Sequence, residues 1–216
     1  MTGHRIIRNL TRQGNAVLGV GCYSAALATR SNSDVAIKIG TNMDDPWLDY
    51  RGLVIDAYSN NPHVPHIHSF YSDSANEFYV CTMERLAPTT CSDESLTDFI
   101  RDYVLGYHSD EEAQEFLDTY PTRVPNPQQL LEVVNAIKEN TTHAKSGRPF
   151  GMGTNTYCEN EQDDDDDCEG RRLDMHRGNF MLRGEVLVIT DPWCNVNMDD
   201  IADLSQWVER TVDYCG

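Results

Sequence analysis

Three side chains near the C-terminal end have types and a spacing that suit phosphoryl transfer. Asp174 lies five residues before Asn179, and Asp191 follows after a turn and a short apolar run. An aspartate in the first position can accept a hydroxyl proton, while an asparagine and a second aspartate can hold a metal that bridges nucleotide phosphates. The same acidic pattern occurs in plain β-hairpins, so this segment alone leaves a purely structural role open.

A second group of candidate residues lies near the N-terminus. Gly19, Gly21 and Ser24 fall in a predicted turn between two strands, and a third strand at 35–39 carries Lys38. Glycine lets backbone N–H groups approach phosphate oxygens, and a lysine on the next strand can neutralise the α- and β-phosphates. A lone Gly-x-Gly usually marks an ordinary hairpin. The order of the whole series, from glycine turn through lysine strand to the distant aspartates, favours nucleotide binding.

The elements between these two groups would position them. An aspartate followed by Pro46 predicts the start of a helix over 46–58, expected to be the one helix of the N-terminal part. Apolar and aromatic runs predict strands at 63–71 and 77–84, the second of them buried.

Helices are predicted farther along the chain from apolar periodicity. They cover 95–107 and 128–145, and a shorter one covers 201–212. Three prolines break the chain between the first two helices: Pro121, Pro125 and Pro127. The segment 149–170, with five adjacent aspartates, is expected to be a solvated loop. The functional alternatives are docking to a basic partner and loose binding of divalent ions.

Three short strings together resemble one family. Gly-x-Gly-x-x-Ser-Ala-Ala at 19–26, Asp-Met-His-x-Gly-Asn at 174–179 and Ile-Thr-Asp-Pro at 189–192 are similar to protein kinases. They are closest to the early serine/threonine kinases of autographivirus bacteriophages. The resemblance covers residues 18 to about 193. It implies an α+β, minimal two-lobed protein-kinase-like fold, with a five-stranded antiparallel small lobe at 1–87 and a truncated, mainly helical large lobe at 88–216.

The resemblance also implies the roles of individual residues within that fold. The large lobe would contain the acidic insert at about 150–170 and the catalytic and metal loops at 173–193. Asp174, Lys38 and His176 would be catalytic, and Asn179 and Asp191 would hold Mg²⁺ or Mn²⁺. The residues implied to contact ATP are Gly19, Gly21, Ser24, Lys38, Met83, Glu84 and Leu86, the last three lining the adenine site.

The sequence departs from the family pattern at several points. Protein kinases place a glutamate on the helix at 46–58 to pair with the strand lysine, and this segment has none. Asp49 or Asp56 could replace it, or both could simply face solvent. The insert at 150–170 is a further departure. No Ala-Pro-Glu string follows Asp191, so the usual peptide-binding platform is expected to be absent or improvised.

Composition restricts the class of partner. The chain of 216 residues has a formal net charge of −18 at pH 7, which disfavours direct nucleic-acid binding and favours basic protein partners. Seven cysteines without a close Cys-x-x-Cys pair indicate reduced thiols. No run approaches about twenty apolar residues, so no membrane contact is expected. We therefore expect a cytoplasmic protein, in the infected bacterial host if the resemblance holds; its oligomeric state is not predicted.

Three functions are consistent with these observations. The leading hypothesis is a phage-encoded serine/threonine kinase that transfers the ATP γ-phosphate to host proteins and to itself. The alternatives are a non-catalytic inhibitor that binds a basic host protein through its acidic surface, and a small-molecule phosphotransferase, which His176 would suit. A histidine metal site at His63, His66 and His68 is not expected, because only the last two share a strand face. No Gly-x-Ser-x-Gly string supports a serine hydrolase.

Overall fold

Five strands from the first 84 residues form one antiparallel sheet, which confirms the expected five-stranded sheet. In this computed structural model, residues 2–141 and 171–195 are described. They fall into two units: unit 1 contains 2–48 and 65–86, and unit 2 contains 49–64, 87–141 and 171–195. With several helices beside the sheet, the protein belongs to the α+β class.

The sheet of unit 1 is built from neighbouring hairpins and one crossover. Its strand order is β1-β2-β3-β5-β4. The strands are β1 (Val17–Val20), β2 (Ser24–Ala28), β3 (Val35–Gly40), β4 (Ile67–Asp73) and β5 (Phe78–Glu84). The predicted glycine turn joins β1 to β2, and the predicted lysine strand is β3.

An N-terminal helix, α1 (Gly3–Arg12), covers one face of this sheet. Its Ile7 is buried with Ala25, Leu27 and Ile39 in one apolar cluster. The sequence analysis did not identify α1, and its expectation of a single helix in this part of the chain was wrong. Burial of this face by α1 leaves the opposite face of the sheet for other contacts.

The helix predicted over 46–58 is shorter and less regular than expected. Helix α2 (Pro46–Tyr50) continues as a π-helical turn, Arg51–Ile55. The Asp56 N–H donates to the Arg51 carbonyl at 2.8 Å, the five-residue spacing that defines a π-turn. Gly52, a residue of low helix propensity, lies within this turn.

Unit 2 contains three longer helices and two small sheets. The predicted helices correspond to α3 (Glu94–Val104) and α5 (Pro127–Asn140), whereas α4 (Asp110–Asp118) was not predicted. Strands β6 (Ala87–Pro88), β8 (Phe180–Arg183) and β9 (Val186–Ile189) form one sheet, and β7 (Arg171–Leu173) pairs with β10 (Trp193–Asn195). The buried helix side chains include Leu96, Ile100, Leu117, Leu130, Val134 and Ile137. The acidic segment at 149–170 and the helix predicted at 201–212 lie outside the described residues, as do residues 142–145.

A buried ion pair braces the start of the helical region. Asp93 is 3% exposed, and its carboxylate accepts hydrogen bonds from Arg123 Nε at 2.7 Å and from the Thr90 N–H at 2.8 Å. Burial acts to raise the pKa of Asp93, but the hydrogen bonds from Thr90 and Arg123 outweigh it and hold the pKa below its ordinary value of 3.8. Asp93 therefore stabilises the fold when ionised.

Asp93→Asn should lower the free energy of unfolding at pH 7 by about 3 kcal/mol, because Arg123 loses its buried counter-charge. Since the folded pKa is lowered, the stabilisation is present above pH 3.8 and is lost as the pH falls through the folded value. Urea denaturation should thus show a difference in unfolding free energy between wild type and variant at pH 7, and this difference should narrow as the pH falls below 3.8. The control is Asp102→Asn, since Asp102 pairs with Arg101 on the surface and should matter little. A difference in unfolding free energy that does not change with pH would contradict this account.

Candidate functional site

The glycine turn of unit 1 has open space on its outer side. The Gly21 N–H donates to the Ser24 carbonyl at 2.8 Å, which closes the tip between β1 and β2. Within the described residues, a β-carbon at Gly19 would meet no atom within 4 Å apart from its chain neighbours. Packing within the described residues therefore does not require glycine at 19, whereas close approach of a ligand would. The side chain of Ser24 itself is buried at the start of β2.

The strand register brings three predicted nucleotide-contacting residues onto one face of the sheet. Ser24 is paired with Gly40, and Met83 with Ala36. Both partners lie two residues from Lys38 on β3. Because side chains alternate between the two faces of a strand, Ser24, Lys38 and Met83 share a face. It is the face opposite α1.

The Lys38 ammonium lies over an aromatic ring. Its Nζ is 4.7 Å from the centroid of Trp47, at the start of α2. Of the two acids considered for pairing with this lysine, Asp56 is bound to Arg51 at 3.0 Å, and Asp49 is exposed. Trp47 was not identified by the sequence analysis.

The segment predicted to contact adenine already uses part of its hydrogen-bonding capacity. The Glu84 N–H donates to the His66 carbonyl at 3.0 Å, and the Arg85 N–H donates to the Asp34 carbonyl at 2.7 Å. The Glu84 side chain accepts from the His66 N–H at 2.7 Å. Among the described residues the Leu86 N–H donates to no backbone carbonyl, so it is the donor of this segment best suited to a base.

In unit 2 the candidate catalytic and metal loops run side by side. The pairing of β7 with β10 places Leu173 opposite Trp193, and the Asp174 N–H donates to the Pro192 carbonyl at 2.7 Å. The Thr190 N–H donates to the Asn179 carbonyl at 2.9 Å, and the Thr190 hydroxyl donates to the same oxygen. The structure thus brings together the residues that the sequence separates by a hairpin.

The Asn179 amide is oriented by the backbone of Asp174. Its Nδ2 donates to the Asp174 carbonyl, which leaves Oδ1 as the acceptor. Oxygen ligands from Asn179 and from the Asp191 carboxylate are of the type that Mg²⁺ prefers. In residues 2–141 and 171–195, no group of three or more His, Cys, Asp or Glu side chains could hold a metal. A metal held by Asn179 and Asp191 would therefore need further ligands beyond these two side chains.

His176 is fixed in one tautomer next to Asp174. The Gly178 N–H donates to His176 Nδ1 at 3.0 Å, so the neutral ring carries its proton on Nε2, which lies 3.8 Å from Asp174 Oδ2. A β-carbon at Gly178 would lie 2.7 Å from His176 Cε1, so glycine is needed for this ring position. His176 is therefore placed to donate a hydrogen bond beside the proposed base.

Two buried residues hold the strand that leads to Asp191, and the sequence analysis assigned neither to the site. The Tyr50 hydroxyl donates to the Ile189 carbonyl at 2.8 Å, and its ring packs edge-to-face on Trp193. His63 Nδ1 is hydrogen-bonded to the Leu187 carbonyl at 2.7 Å. Burial raises the pKa of Tyr50 well above its ordinary value, and the Asp191 charge raises it further, so the phenol remains a donor.

Tyr50→Phe should cost about 1–3 kcal/mol of stability, because a buried carbonyl loses its donor. Urea denaturation monitored by circular dichroism would measure it. Tyr71→Phe is the matched control: Tyr71 is 58% exposed, so removal of its hydroxyl should have little effect. Equal stability of the two variants would contradict the proposed support of β9.

Comparison with known proteins does not assign a family. No protein-family model matches the sequence, and no curated protein matches it significantly. In the part of the chain that the structure describes, no helix is long and apolar enough to cross a membrane.

Proposed function

We propose that this protein is an ATP-dependent phosphotransferase of the serine/threonine protein kinase type. The observation that carries the proposal is the arrangement of Asp174, Asn179 and Asp191. One loop supplies a carboxylate and an amide whose Nδ2 is fixed by the Asp174 carbonyl. The adjoining loop, held to it through Thr190, supplies the second carboxylate.

Each of these residues has a defined task in phosphoryl transfer. Asp174 accepts the proton of the incoming hydroxyl while that oxygen bonds to the γ-phosphorus and the bond to the β,γ-bridging oxygen breaks, releasing ADP. Asn179 and Asp191 would hold Mg²⁺ or Mn²⁺, which supplies neutralisation of phosphate charge. Lys38 contacts the α- and β-phosphates, and His176 donates to the transferred group.

We propose that the acceptors are basic proteins of a bacterial host and the protein itself. Among acceptors other than the protein itself, the net charge of −18 disfavours acidic proteins and attracts basic ones. The resemblance to bacteriophage kinases is the basis for a bacterial host. It also supports action in the host cytoplasm.

A non-catalytic binding function is the second candidate, and helix α4 favours it. Five of its nine residues are acidic, and all five are exposed: Asp110, Glu111, Glu112, Glu115 and Asp118. Such a helix can bind a basic protein without any chemistry. If binding were the whole function, Glu111→Lys with Glu115→Lys should abolish the effect on the partner, while Lys38→Met should leave it unchanged.

The test is incubation of wild type and Lys38→Met with γ-labelled ATP and Mg²⁺ or Mn²⁺, alone and with a bacterial lysate. Acid-stable label on protein in wild type, lost in Lys38→Met, is the expected result. Label found only on small molecules would instead indicate a small-molecule phosphotransferase. No consumption of ATP by wild type under any of these conditions would refute both forms of the proposal.

A further inference from the structure

The face of unit 1 that carries Lys38 contains a buried aromatic group whose geometry is fixed by hydrogen bonds. Trp47 is 1% exposed and stacks on Tyr79, with ring centroids 5.3 Å apart and an interplanar angle of 12°. Phe70 also stacks on Tyr79, with ring centroids 5.9 Å apart. The Lys38 Nζ lies over the Trp47 ring, 4.7 Å from its centroid.

A buried carboxylate anchors the stack. Asp45 is 5% exposed. Its Oδ1 accepts a hydrogen bond from the backbone N–H of Trp47 at 3.0 Å, and its Oδ2 accepts one from the Tyr79 hydroxyl. Tyr79 in turn fills the space above Gly40, where a β-carbon would lie 1.9 Å from the Tyr79 ring. Asp45 therefore fixes the Trp47 backbone and the Tyr79 hydroxyl. The Trp47 ring itself is restricted by burial and by its stacking on Tyr79.

We propose that Trp47 is a positioning residue for Lys38, whose ammonium it holds by a cation–π interaction so that the lysine is directed toward nucleotide phosphates. This inference rests on the proposed function. An ammonium within about 6 Å of an indole centroid is attracted by the negative face of the ring. The indole carries no net charge, so it restricts the ammonium without cancelling its charge toward phosphate. The attraction of the Lys38 ammonium by Trp47 adds to that of any anion bound by the same ammonium.

The sequence makes a direct measurement possible, because it has three lysines: Lys38, Lys138 and Lys145. In protein labelled with ¹³C-lysine, the ε-methylene protons of Lys38 should resonate upfield through the ring current of Trp47, and Lys38→Met assigns the signal. Lys138 is an internal control, because its Nζ lies 4.6 Å from the centroid of a different ring, Tyr103. Trp47→Leu should remove the upfield shift of Lys38 and leave that of Lys138, whereas Trp47→Phe should retain part of it.

Kinetic measurements separate an effect of Trp47 on the position of Lys38 from an effect on folding. For transfer from ATP, kcat/KM should fall about tenfold in Trp47→Leu and less in Trp47→Phe, following the weaker cation–π attraction of the smaller ring. Circular dichroism and thermal unfolding report whether each variant is folded. The wild-type shift of Lys38 tests the geometry without any variant.

Two outcomes would overturn the inference while leaving the proposed function intact: an unshifted Lys38 signal in wild type, or a folded Trp47→Leu variant with wild-type kcat/KM. Failure of wild type to transfer phosphate would overturn the proposed function instead. The Lys38 shift would then still decide whether Trp47 positions the lysine.

Discussion

Asp191→Asn should lower the rate of phosphate transfer from ATP by roughly three orders of magnitude. The substitution keeps the size of the side chain but removes the negative charge that would hold the metal at the phosphates. The Mg²⁺ concentration needed for half-maximal rate should rise as well, because Asn179 would be left as a neutral ligand. Initial rates measured across a Mg²⁺ titration would show both effects.

Loss of folding must be separated from loss of metal binding in this variant. Asp191 follows β9, which is held independently by Tyr50 and His63, so thermal unfolding of Asp191→Asn should resemble that of wild type. A variant with the wild-type rate and the wild-type Mg²⁺ dependence would contradict the metal assignment.

Gly40→Ala should destabilise unit 1 by roughly 3 kcal/mol or more, a cost at the upper end of overpacking effects. The new β-carbon would lie 1.9 Å from Tyr79 Cε1. The ring cannot yield easily, since Tyr79 is fully buried, stacks on Trp47 and donates its hydroxyl to Asp45. Thermal and urea denaturation would measure the loss.

Gly52→Ala is the matched control for this substitution. Within the described residues a β-carbon at Gly52 would meet nothing within 4 Å, so alanine there should be neutral or slightly stabilising. If Gly40→Ala were as stable as Gly52→Ala, the packing of Tyr79 on β3 would be refuted.

The sheet could be predicted from the sequence because each strand is signalled locally. Apolar runs bounded by turn residues fix β2, β3 and β5, and the short connection at the glycine turn requires that β1 and β2 be antiparallel. The register then follows from burial: Leu27 and Ile39 must lie on the covered face, which places Lys38 on the other.

Helices α1 and α4 were not predicted, because their sequences indicate a helix less clearly than those of α3 and α5. Helix α1 carries few apolar residues, and its burial comes from contact with a sheet formed later in the sequence. Helix α4 did have a local signal, because Ser109 and Glu112 form a capping box through reciprocal hydrogen bonds. The π-turn after α2 differs from an α-helix only in the spacing of its hydrogen bonds, which apolar periodicity does not signal.

The residue types of the candidate site could be predicted from the sequence. The neighbouring residues that hold them in place could not. Asp174, Asn179 and Asp191 are candidates because their types and spacing resemble the protein-kinase pattern. Trp47 and Tyr50 lie in the first turns of the helix predicted over 46–58. In the sequence they cannot be told from ordinary aromatic residues of the core. Only the three-dimensional structure shows the first over Lys38 and the second on the Ile189 carbonyl.

The most direct test of a phosphoryl-transfer site at Asp174 is the single-turnover rate of phosphate transfer by wild type, Asp174→Asn and Asp118→Asn. Asp118 is the matched control, an exposed aspartate on α4 that accepts a hydrogen bond from Gln114. Asp174→Asn should be slower by about 10²–10⁴-fold, the range for loss of a general base, while Asp118→Asn keeps the wild-type rate. An Asp174→Asn rate within a few-fold of wild type would contradict the account.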